Sequence, residues 1–134
     1  MSELTREQIL NINDQKTKKV SVPEWGDDAF VYIRTLNGIE RDWFESTAKK
    51  IHDCKATPEE SSTFRSTFAR LIISDANGNK IFKMEDIPAL GKKSAAALER
   101  ILVAGLEFSL LTEDSHNEAK DFLLSQDQNA YGLD

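Results

Sequence analysis

The chain has 134 residues, 17 basic and 23 acidic side chains, a formal charge of −6 and 40% hydrophobic residues, which describes one acidic domain large enough to bury a core without a disulfide or structural metal. No run approaches the ~18 consecutive apolar residues of a membrane span, and Met1-Ser2-Glu3-Leu4 lacks the basic-then-apolar order of a signal peptide, so the expected compartment is a cytoplasm, with no membrane partner. The acidic balance argues against a general nucleic-acid binder, whose affinity rests on clustered Lys and Arg releasing counterions from phosphates.

Thr5 followed three residues later by Gln8 forms a capping box before Ile9, Leu10 and Ile12, and Asn13-Asp14 closes this short helix. From Lys18 the period changes to two: Val20 and Val22 alternate with Lys19 and Ser21, then Val31, Ile33 and Thr35 with Phe30, Tyr32 and Arg34. The turn-rich segment Pro23 to Asp28 joins these strands as a hairpin. A lone hairpin is barely stable in water, so one face must lie on helices.

Asn37 with Glu40 opens a helix over about Gly38 to Asp53, with Ile39, Trp43, Phe44 and Ile51 at helical spacing. Thr57-Pro58-Glu59-Glu60 is a helix start with an N-cap hydroxyl, proline at the first position and carboxylates at the positive end. Phe64, Phe68, Leu71 and Ile72 form its stripe. Asn77-Gly78 predicts a tight turn, after which Ile81 and Phe82 would add a short extended piece. A helical turn at Glu85 to Leu90 precedes Gly91 and the longest helix, about Lys92 to Leu111, whose stretch from Ile101 to Leu106 is apolar nearly all round and so buried on more than one side. A last helix starts at Ser115 and carries Ala119, Phe122 and Leu123. The expected architecture is α+β: an N-terminal β-hairpin, with room for a short third strand, packed on four to five helices. It forms a single domain over residues 1–124, with a flexible polar tail at 125–134.

Catalytic and metal-binding patterns do not assemble. Asp75, Asn77, Asn79 and Asp86 match ligand positions of a calcium loop, but Lys80 stands where the loop needs glycine, and a hairpin turn explains the residues better. His52 and Cys54 lack a second pair of ligands for zinc, and Cys54, the single cysteine, has no intrachain partner. His116 beside Ser115 is sequence adjacency, not a triad, and a helix cap accounts for Asp114 and Ser115. Gly91-Lys92-Lys93-Ser94 lacks the first glycine of a phosphate loop. Glu40, Arg41, Asp42 and Glu45 read as a solvated helix face with local charge pairing. The expected protein is no enzyme and carries no cofactor or metal.

Two features suit an interaction protein. Trp25, at a hairpin loop, either folds onto the core, the commoner outcome for a large aromatic, or projects as a binding anchor. Leu106, Phe108, Leu110 and Leu111 run towards Phe122, Leu123 and Leu124 across a short polar break. They are either core or an apolar surface for a partner.

The segments Val20-Ser21-Val22-Pro23-Glu24-Trp25-Gly26 and Val31 to Glu45 resemble the tail assembly chaperones of long-tailed, siphovirus-type bacteriophages and prophages. Ser74-Asp75, Gly78, Ile81-Phe82, Leu90 to Ser94 and Leu98-Glu99-Arg100-Ile101 follow in the order familiar in that group, so the resemblance covers about Leu4 to Leu111. It implies a non-enzymatic protein of the host cytoplasm that escorts the tape measure protein, a long helical chain with apolar stripes, and helps bring tail tube subunits to it. Helix-in-groove contact is the natural mode, with Leu106, Phe108, Leu110, Leu111, Phe122 and Trp25 as candidate contacts and self-association through neighbouring surfaces. The alternative is a structural minor tail or connector subunit retained in the virion.

Overall fold

A computed structural model of the protein describes residues 1–109. Helix α1 (Arg6–Asn11) has the expected reciprocal cap: the Gln8 amide donates to Thr5 Oγ1 at 3.2 Å and the Thr5 amide to Gln8 Oε1 at 2.9 Å. None of its residues is buried, and Ile9, Leu10 and the following Ile12 are exposed. The cap therefore orders a helix that the core does not hold.

Strands β1 (Thr17–Ser21) and β2 (Phe30–Arg34) pair antiparallel, with Thr17 opposite Arg34 and Ser21 opposite Phe30. This register puts Val20 and Ile33 on the helix-facing side, where both are buried. The other side carries Lys19, Phe30 and Tyr32; the two rings meet edge-on at 5.5 Å and the Lys19 ammonium lies 4.9 Å from the Phe30 centroid.

The third strand is β3 (Ile73–Ser74), which pairs antiparallel with β2 and leaves β2 in the middle. The turn at Asn77-Gly78, where Gly78 has φ +86°, brings Lys80 back to bridge Ser74. Ile81 and Phe82 then leave the sheet instead of extending it. Asp75 holds this turn, its Oδ1 accepting the Asn77 and Asn79 amides at 2.9 and 3.0 Å. Those bonds keep its carboxyl below the usual range, the Asn79 amide most of all.

Helix α2 (Gly38–His52) begins with a second capping box between Asn37 and Glu40. The solvated-face reading fails at Glu40, which is only 5% exposed. Its carboxylate accepts from Arg34 Nη2 and from Lys80 Nζ, each at 2.6 Å, while Arg34 Nε donates to the Leu71 carbonyl at 3.0 Å. Arg41 and Glu45 do pair at the surface, at 2.9 Å. The difference is tertiary: β2 ends at the start of α2, and the β3 turn delivers a lysine from 40 residues away.

The helix opened by Thr57-Pro58 divides at Thr63, giving α3 (Pro58–Ser62) and α4 (Phe64–Ile72). The Thr63 hydroxyl donates to the Glu59 carbonyl at 2.7 Å and its backbone sits at φ −106°, ψ 5°, so α4 can redirect its stripe into the core. Phe64, Phe68, Leu71 and Ile72 are all buried. Trp43 stacks on Phe64 at 5.5 Å and Phe44 packs on Phe64 and Phe68 at 5.7 Å, tying α2 to α4. A 3₁₀ turn (Met84–Asp86) leads to α5 (Ile87–Gly91), and α6 (Ala95–Ser109) follows. Lys92 and Lys93 lie outside α6 because their amides close α5 on Ala89 and Leu90. α6 lies on both α4 and the sheet, with Ile101, Leu102, Gly105 and Leu106 buried. The helix expected from Ser115 and the tail at 125–134 lie outside the described residues.

Candidate functional site

The hairpin between β1 and β2 contributes residues to two surface grooves among the described residues. Pro23 is the first residue of a 3₁₀ turn (Pro23–Trp25), where its missing amide costs nothing. The Trp25 amide donates to Val22 O at 3.0 Å and the Gly26 amide to Pro23 O at 3.2 Å. Gly26 ends the turn at φ +152°, where a side chain would be strained and its Cβ would meet Ala29 Cβ at 3.3 Å. The corner is fastened to α6 by Glu24: Arg100 Nε donates to its Oε1 at 3.0 Å and Nη2 to its Oε2 at 2.9 Å. The Arg100 hydrogen bonds hold the Glu24 carboxyl below the usual carboxylate range and in turn raise Arg100.

Fastened this way, the corner separates two grooves. On one side Trp25, Ile81, Phe82, Ala89 and Leu90 line a groove of about 640 Å³, with Asp86 and Lys93 as its charged groups. Trp25 is 36% exposed, so it neither disappears into the core nor stands free in solvent. Ile81, on this groove, is exposed, so part of the apolar wall faces solvent. On the other side Glu24 and the outer face of α6 line a second groove of about 590 Å³.

Of the other predicted contacts, Leu106 and Phe108 are described, and neither lines these grooves. Leu106 is 1% exposed and belongs to the core, so of its two readings, core or partner surface, it takes the first and leaves the set of candidate contacts. The cause is Gly105: a Cβ there would collide with Ile72 Cδ1 and lie 2.8 Å from Phe68 Cε1. Its absence lets α6 settle onto α4 and takes Leu106 inward. Phe108 is partly buried against the core, with the Lys18 ammonium 5.6 Å from its ring centroid. Leu110, Leu111 and Phe122 lie outside the described residues. Sequence reasoning missed Ile81 and Leu90 as groove walls; the one available signal was Asn77-Gly78, a turn that sends the following residues out of the sheet. Among the described residues no group of three or more His, Cys, Asp or Glu could hold a metal, and no helix is long and apolar enough to cross a membrane.

A family model described as phage tail assembly chaperone matches residues 5–121. The chain is a phage tail assembly chaperone by family. No curated protein and no solved structure matches it. The match runs from the Thr5 cap through the hairpin, both grooves and all of α6. A tail assembly chaperone works on protein partners of the tail, and a groove with mainly apolar walls, such as the one beside Trp25, suits a protein segment.

Proposed function

We propose that this chaperone binds the phage tape measure protein, covers apolar stripes of that long helical chain, and helps bring tail tube subunits to it in the host cytoplasm, without making or breaking covalent bonds. The observation that carries the reading is the Trp25 groove, whose walls come from the hairpin corner, the segment after the β3 turn and α5. An aromatic anchor half-set into an apolar cleft is the geometry that takes the ridge of an amphipathic helix, because the helix loses its apolar surface to the cleft while its polar side stays in water. A net charge of −6 keeps a chain coated with such subunits soluble.

Co-expression with the phage's tape measure protein, followed by affinity purification, tests this. The wild-type chain should bring the tape measure protein down in a soluble complex, and Trp25→Ala should release it while circular dichroism stays unchanged. A wild-type chain that recovers no tape measure protein in any ratio overturns the proposal. Purified particles analysed by mass spectrometry should contain little or none of the chain.

A further inference from the structure

The second groove differs from the first in charge. Its floor is Ala96, Val103 and Ala104 on the outer face of α6, and its walls carry Glu24, Glu99 and Glu107. The single cation on the lining, Arg100, pairs with Glu24 and the two charges cancel, so the net negative charge of the lining comes from Glu99 and Glu107. Glu99 has only a 3.6 Å approach from Arg65, and among the described residues Glu107 is in no ion pair. The small residues leave room for a helix to approach closely, while the carboxylates leave the rim negative.

We propose that this groove takes a helix of the client that carries lysine or arginine beside a ridge of small apolar side chains. The inference rests on the reading of the protein as a binder of helical clients and names the chemistry of the segment chosen. Charge decides between occupants. The chain's own residues 110–134 carry six acidic residues and a single lysine, and a second copy carries −6 in total, so neither complements the groove in net charge. A basic flank is attracted to it and gains orientation, because apolar contacts alone are non-directional. The Trp25 groove, lined by one acid and one lysine, exerts no such choice.

The test uses the full chain and two synthetic helical peptides with the same alanine and leucine ridge, one flanked by lysines and the other by glutamates. By calorimetry the lysine peptide should bind and weaken steeply between low and high salt, and the glutamate peptide should bind at least about tenfold more weakly. Glu107→Lys should weaken the lysine peptide and strengthen the glutamate peptide. Ala96→Trp, which fills the groove from an exposed position, should abolish both. Equal binding of the two peptides overturns the proposal, as does a self-associated wild-type chain that Ala96→Trp turns into monomers, since the groove would then belong to a second copy. If the tape measure protein co-purifies undiminished with both variants, the groove inference fails and the proposed function stands. If it does not co-purify with the wild-type chain, the proposed function fails while the peptide result still decides the groove.

Discussion

Glu40 offers the sharpest test of how this fold is held. Glu40→Gln keeps the side chain's length and its place in the capping box, since glutamine serves there as well as glutamate, but removes the charge that Arg34 and Lys80 share. Arg34 then stays buried, with the Leu71 carbonyl as an acceptor and no counter-ion. Removing one partner of a buried pair costs about 3 kcal/mol or more, because the remaining charge stays desolvated. A loss of 3 kcal/mol in a domain of this size lowers the melting temperature by roughly 10 °C. Urea unfolding followed by circular dichroism should show the loss at both low and high salt, since a buried pair is little screened. Arg34→Met combined with Glu40→Gln should recover most of it. Lys80→Met should cost only about 1 kcal/mol, because the Lys80 side chain is 30% exposed. If Glu40→Gln changes stability by less than about 0.5 kcal/mol, or the double variant is no better than the single, the pair does not hold the junction of β2, α2 and β3.

Leu106→Ala should destabilise by about 3 kcal/mol, from lost burial and the cavity left behind. Trp25→Ala should leave the urea midpoint nearly unchanged and lower client affinity, so comparable stability loss in both would return Trp25 to the core. The lowered Glu24 pKa implies that its bond to Arg100 is complete at neutral pH and is lost as pH falls through the folded value, below the ordinary 4.5. In a Trp43→Phe background, Trp25 fluorescence should change only below that pH, and Arg100→Gln should move the change up towards 4.5; an unmoved transition would refute the fastening. Deletion of residues 1–11 should leave thermal stability intact, because α1 buries nothing, and a large drop in melting temperature would show that α1 is held by the core.

The elements most legible in the sequence are those whose cause is local. The caps at Thr5, Asn37 and Thr57 each satisfy orphan amides within four residues, and all three helices start where those caps stand. The two long strands follow from alternation, and the turn at Asn77-Gly78 from tolerance of positive φ. The candidate site was legible at one residue, Trp25. Its neighbours were not, because Ile81, Phe82 and Leu90 become groove walls only through the path taken after β3.

Local chemistry therefore determined the helix starts, the hairpin, the α+β class and the pattern that places the chain among tail assembly chaperones. Contacts between distant segments decided the rest. Glu40 reads as a surface acid until Arg34 and Lys80 arrive beside it, and Leu106 reads equally as core or as partner surface until Gly105 allows α6 to sit on α4. Burial is a property of what packs above a residue, and that neighbour comes from elsewhere in the chain.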